Sequence, residues 1–168
     1  MGAESRFMAL DQREFRNSLG NFVTGVTVVT AMTDDGERIG MTVSSFNSVS
    51  LDPPLVLFSV DRGAMSLDAF KKAKSFAINV LGEHQHELSN RFARKAEDKW
   101  NGVDHTIGET GCPLLPEAVA WFECAPYAQY DGGDHIIFVC RVLKFDVDPG
   151  GRPLVFFKGK YCNLVPEA

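Results

Sequence analysis

Apolar residues fall mostly in short dense runs bounded by Gly, Pro, Asp and Ser, and only three segments carry the three-to-four residue spacing of a helix. The first helix is predicted over residues 11–21, where Phe15, Leu19 and Phe22 fall on one stripe and Asp11 stands as the N-cap. That stripe is expected to cover a sheet or one end of a barrel. Residues 23–33 are dense in Val and Thr and read as a strand buried on both faces. Asp34, Asp35 and Gly36 then supply a hairpin turn.

The return strand, residues 38–46, alternates cleanly. Ile39, Met41, Val43 and Ser45 face one way; Gly40, Thr42, Ser44 and Phe46 face the other. Residues 47–51 are read as irregular, with Asp52, Pro53 and Pro54 stopping any ladder because proline lacks a backbone donor. Residues 55–60 form a buried strand, Ser66 caps a short helix through Lys72, and residues 75–81 return to strand. A second charged helix is expected over 84–100, with Leu88, Phe92 and Ala96 as its buried stripe and Gly102 as its stop. Residues 101–117 read as a long loop. Residues 120–130 and 135–146 make a long hairpin about Asp131, Gly132, Gly133 and Asp134, and short strands at 153–157 and 160–164 follow. Seven or eight strands joined by short turns favour an antiparallel barrel over a doubly wound sheet, in one domain spanning 1–168.

Charge removes several function classes. With 17 Lys and Arg against 22 Asp and Glu, and no basic run interleaved with aromatics, nucleic-acid binding is disfavoured. No apolar run is long enough to span a bilayer, so no membrane partner and a cytoplasmic location are expected. Cys112, Cys124, Cys140 and Cys162 form no CxxC pair, and His84 and His86 lack a partner set, so no metal site is assigned. The phosphate-loop, dinucleotide, nucleophile-elbow and zinc-protease motifs have no match.

The chemistry concentrates in GMTVSSFNSVSLDPPL, which starts at Gly40 and puts five hydroxyl residues, Thr42, Ser44, Ser45, Ser48 and Ser50, within nine positions. Hydroxyls and free N–H groups at a strand end can hold ring carbonyls and phosphate oxygens, and Gly40 leaves space where a flat ring could approach. A solvent-facing Ser/Thr strand would look the same.

That run, with TGVTVVT before it and GGDHIIFVCRV and FFKGKYCNL after it, resembles the flavin reductases with an FMN-binding split barrel, the reductase components of two-component flavin-dependent monooxygenases. The resemblance covers nearly the whole chain. It implies a mainly β fold with flanking helices, an antiparallel Greek-key split β-barrel. It also implies FMN or FAD with NADH or NADPH as co-substrate, a homodimer, and reduced flavin released by diffusion to a partner monooxygenase.

The resemblance also implies roles. Thr42, Val43, Ser44 and Ser45 would lie along the isoalloxazine, and Ser48, Ala64 and Ser66 near the phosphate. Arg91 and Phe92 would close over the flavin tail, Tyr161 would reach the pocket mouth, and His135 would stand near the nicotinamide or flavin ring. Read from the residues alone, Arg91 fits a solvated helix face, Phe92 and Tyr161 fit packing, and His135 fits a surface turn. Hydride transfer between two stacked rings needs orientation more than a nucleophile, which suits the missing triad. A non-catalytic flavin-binding protein and a pyridoxamine-phosphate-oxidase-like enzyme are the competing readings.

Overall fold

The computed structural model describes residues 9–165. Its centre is β2 (Thr27–Met32), whose Val and Thr residues are buried on both faces as their density predicts. One face, through Val29 and Ala31, joins a core of Ile39, Val56, Phe58, Phe70, Phe76 and Phe138; Val28, on the other, joins a second core of Leu81, Phe92, Leu115 and Leu154. β1 (Thr24–Gly25) precedes β2 as a separate piece, so the expected single strand is broken at Val26. In the first core Phe58 stacks on Phe138 with centroids 5.1 Å apart and meets Phe76 edge-on at 5.5 Å. Such pairs add about 0.5–1.5 kcal/mol each beyond area burial.

β2 pairs antiparallel with β3 (Arg38–Val43) through a turn whose Gly36 takes φ 81°. Residues 47–51 correct the sequence reading: they form β4 (Asn47–Leu51), paired with β5 (Pro54–Asp61) from Leu51↔Pro54 onward. Asp52 and Pro53 are therefore the turn of a hairpin, since proline's missing donor costs nothing there. α2 (Leu67–Lys72) begins where Ser66 predicts, but the Ser66 side chain makes no capping bond. β6 (Phe76–Val80) returns to the other side of β2, and α3 (His86–Ala93) follows.

α3 ends at Ala93, well short of Trp100, so Ala96 belongs to no helical stripe. The expected loop from 101 to 117 contains a small hairpin, β7 (Thr106–Ile107) with β8 (Pro113–Leu114). β9 (Ala120–Gly132) and β10 (His135–Val147) form the long hairpin about Gly133, φ 76°. β11 (Val155–Phe157) and β12 (Lys160–Cys162) join β1 in a three-stranded sheet.

The main sheet is seven-stranded and antiparallel, in the order β3-β2-β6-β9-β10-β5-β4. Its ladder is open, ending at β3 and β4, so the fold is mainly β with three helices among the described residues, and no closed barrel is formed by strand pairing. The two ends nevertheless approach: the Ser59 N–H of β5 donates to Ser45 Oγ, just beyond β3, at 2.9 Å. α1 (Gln12–Leu19) is capped by Asp11, which accepts from Glu14 N–H at 2.8 Å. Among the described residues its stripe stays largely exposed: Phe15 is 52% and Phe22 80% exposed.

Candidate functional site

A cleft of about 550 Å³ opens where β3, the loop between β5 and α2, and the segment after α3 converge. Its volume falls within the roughly 300–1,000 Å³ usual for small-molecule sites. Ile39, Met41, Ala64, Ala69 and Phe92 give it an apolar lining, while Arg38, Arg94, Lys95 and Lys99 bring positive charge to it. None of those four cations forms an ion pair among the described residues. Glu37, Asp61 and Glu97 also line the cleft.

Lys99 is held in place by carbonyls: Nζ donates to Phe92 O at 3.0 Å and to Gly40 O at 3.5 Å. Burial away from water lowers its pKa from the ordinary lysine value, because the charged form loses hydration. Arg38 lies over the Trp100 ring at 5.5 Å and meets His105 Nε2 at 3.2 Å, so two cleft residues, Arg38 and Trp100, are packed together. Gly40 does not leave space for a ligand ring, as its sequence context suggests. The rings of Phe92 and Trp100 already fill that space.

Of the residues singled out from sequence, Ala64, Ser66 and Phe92 meet in the cleft from two separate segments of chain. Thr42, Val43, Ser44, Ser45, Ser48, Arg91, His135 and Tyr161 lie outside its lining. Thr42 Oγ1 donates to Ser89 O of α3 at 2.6 Å, and Val43 is buried in the first core. Ser44 and, on β4, Ser48 are exposed, whereas Ser45 is committed to β5 through Ser59. Arg91 is exposed and donates to Asn101 O at 2.5 Å. The Tyr161 hydroxyl bonds Ser89 Oγ at 2.8 Å and Asn90 Oδ1 at 2.9 Å, fastening the C-terminal hairpin to α3.

His135 opens β10 directly opposite Asp61, a cleft residue on β5. Its Nδ1 lies 2.7 Å from Asp134 Oδ1, and that hydrogen bond holds the Asp134 carboxyl below the usual carboxylate range. Sequence reasoning does not single out the cleft cations Arg38, Arg94, Lys95 and Lys99, nor Trp100. Arg38 reads as the first residue of an ordinary strand, and the other four fall in a predicted helix that ends before them.

The cleft fits a phosphorylated, flat heterocycle in the chemistry of its donors: apolar carbon for ring faces, the Ser66 hydroxyl, and cations without carboxylate partners for phosphate. The family model described as "Flavin reductase like domain" matches residues 19–165. A relative from Rhizobium meliloti (strain 1021), curated under the name "Probable flavin reductase", is 44% identical over 151 residues, 90% of this chain. The chain spans about half of that relative, 48% of its length. The "Flavin-dependent monooxygenase, reductase subunit HsaB" of Rhodococcus jostii (strain RHA1) is 38% identical over 159 residues, covering 95% of this chain and 81% of that protein. Among solved structures, the Streptomyces globisporus NADH:FAD oxidoreductase SgcE6, in complex with NAD and FAD fragments, superposes with a TM-score of 0.89. It is 37% identical, over 96% of this chain and 99% of that one.

Proposed function

The chain belongs to the flavin reductase like domain family, and on that premise we propose that it is an NAD(P)H-dependent flavin reductase that passes reduced FMN or FAD to a separate monooxygenase. The observation that carries the reading is the cleft itself, which combines an apolar lining with four cations free of carboxylate partners among the described residues. Bound together, nicotinamide and flavin supply hydride transfer; the protein's part is to orient them and keep water away.

In this reading Met41, Ala64 and Ala69 take the ring faces over a floor closed by the buried Ile39 and Phe92, while Ser66, Lys95 and Lys99 face the phosphate. Thr42, Val43, Ser44, Ser45 and Ser48 carry the roles that the family resemblance gives them along the isoalloxazine and ribityl chain, and Arg91 and Tyr161 those at the flavin tail and pocket mouth. His135 serves the nicotinamide side, where an imidazole can donate or accept a hydrogen bond near neutral pH. The open sheet is proposed to curl as one domain into the antiparallel Greek-key split barrel, with the Ser45–Ser59 contact drawing its ends together. A cytoplasmic homodimer is part of the same reading, supported by the stripe of Phe15, Leu19 and Phe22 on and beside α1, which is exposed among the described residues. Among the described residues no helix is long and apolar enough to cross a membrane.

The test crosses FMN and FAD with NADH and NADPH in a steady-state assay. A second cell places a flavin-dependent oxygenase beyond a dialysis membrane under anaerobic conditions. At least one pairing is expected to turn over, with flavin reduced on the far side. Nicotinamide left unconsumed in all four pairings would remove the enzyme reading, and oxidised flavin beyond the membrane during turnover would remove the diffusible product.

A further inference from the structure

Arg62 is the first residue after β5, at the root of the loop that carries Ala64 and Ser66 into the cleft. It spends all of its observed bonds on a different element, the turn between β9 and β10. Its backbone N–H donates to Asp134 O at 2.9 Å, Nε to Gly133 O at 2.7 Å, and Nη2 to Asp131 Oδ1 at 2.5 Å. The residue that follows that turn is His135, the first of β10, which faces Asp61 across the β5–β10 ladder. Asp61 in turn accepts from Gly63 N–H at 2.5 Å and, through its carbonyl, from Ala64 N–H at 3.0 Å.

We propose that Arg62 is a positioning residue that locks the His135 turn to the cleft loop, so that His135 and the residues around Ser66 keep one fixed relation. The proposal rests on the reading of the cleft as the flavin site and of His135 as the nicotinamide-side residue. β10 is laddered to β5 as far as His135↔Asp61, and the Arg62 N–H to Asp134 O bond adds one rung; beyond it, the Gly133 tip is tied to the cleft loop by the guanidinium. The two side-chain bonds, to Gly133 O and Asp131 Oδ1, are the ones that Arg62→Ala removes, while the backbone bond to Asp134 O stays.

The guanidinium suits this task because its planar fork reaches a carbonyl and a carboxylate at once, which a lysine ammonium on a flexible stem does not reproduce. Global stability has little part in it. The Arg62 and Asp131 side chains are 45% and 77% exposed, and an ion pair so placed contributes little to folding. The hydrogen bond from Arg62 is also the first of the causes that hold the Asp131 carboxyl below its usual range.

The experiment uses the full chain with Arg62→Ala and Arg62→Lys, each in the natural and the His135→Ala background. Arg62→Ala is expected to lower kcat/KM for the nicotinamide by roughly ten- to a hundredfold, the upper end being the loss from misplacing a positioned group by about 1 Å. Arg62→Lys is expected to recover only part of the loss. Flavin dissociation constants for FMN and riboflavin should stay within about twofold, the range left by an uncoupled site. In the His135→Ala background the Arg62 substitution should add almost nothing. In flavin-free protein, amide exchange at Gly133, Asp134 and His135 should quicken while Val28 and Val29 stay unchanged.

Equal losses in both backgrounds, unaltered exchange in the turn, or a silent His135→Ala would each overturn the proposal. So would a selective loss of FMN over riboflavin, which would make Arg62 a phosphate ligand. A natural chain that reduces no flavin would instead overturn the reductase reading, and the exchange measurement would still decide whether Arg62 holds the turn.

Discussion

Gly40 on β3 lies so close to Phe92 that a Cβ at that position would stand 2.7 Å from the ring's Cε1 and 2.8 Å from Cδ1, with Trp100 Cζ2 at 3.2 Å. Phe92 is fully buried and meets Trp100 edge-on, centroids 4.9 Å apart, and both residues line the cleft. Gly40→Ala is therefore an overpacking change that moves a cleft wall. It is expected to cost about 1–3 kcal/mol in urea unfolding and to weaken flavin binding in a fluorescence titration. An unchanged unfolding midpoint would show that the two rings yield freely.

Ser89, fully buried on α3, takes a bond from each side: Thr42 Oγ1 donates to its carbonyl, and its hydroxyl meets Tyr161. Tyr161→Phe strands the Ser89 hydroxyl and releases Asn90, so a loss of about 1–2 kcal/mol is expected. Flavin affinity should follow only as far as α3 shifts. If stability holds while flavin binding falls, Tyr161 acts at the ligand and the contact with Ser89 is incidental.

The strands were legible because their signals are local. Val and Thr density marked β2, Gly36 and Gly133 marked two hairpins, and Asp11 marked the start of α1. β4 was missed because Asp52, Pro53 and Pro54 mark equally well a break or a tight turn, and only the partner strand decides between them. The end of α3 escapes the sequence for a similar reason: the charged run after Ala93 has good helix formers, yet Lys99 and Trp100 are held against β3 by Gly40 O and the Arg38 guanidinium, contacts remote in sequence. At the site, Ala64, Ser66 and Phe92 came from the family resemblance and do meet in the cleft. Arg38 and Arg62 could not be found this way, since what distinguishes them is the turn or ring each touches.

Gly108 and Glu123 form a second close fit, away from the cleft. Glu123 is 1% exposed, its Oε1 accepting from Thr110 N–H and Thr110 Oγ1, both at 2.8 Å. A Cβ on Gly108 would overlap that oxygen and stand 2.6 Å from Cδ, and the carboxyl has two bonds to lose by moving. Gly108→Ala should cost about 2–3 kcal/mol alone, and much less in a Glu123→Ala background, where the obstacle is gone. A double-mutant cycle by thermal unfolding measures the coupling; additive costs would mean that the loop moves away without disturbing Glu123.

Stability at alkaline pH should report the buried thiols. Cys112, Cys124 and Cys140 are fully buried, and burial raises the pKa of each because a thiolate would lose its hydration. For Cys140 the value is pushed from the ordinary 9.0 up to about 12. The folded chain thus keeps its thiol protons over a range in which the unfolded chain has released them. Unfolding then releases protons, and the stability contribution is complete below pH 9.0 and falls as pH rises from there toward 12. Each such thiol adds a limiting slope of about 1.4 kcal/mol per pH unit. Cys140→Ala should lose that slope relative to the natural chain above pH 9.0, while lysine and tyrosine titrations common to both proteins cancel in the difference. The same burial predicts that iodoacetamide at neutral pH labels the half-buried Cys162 before the other three. Parallel stability curves for Cys140→Ala and the natural chain up to pH 11, a point within the window set by the value of about 12, would mean that the Cys140 thiol reaches water in the folded protein.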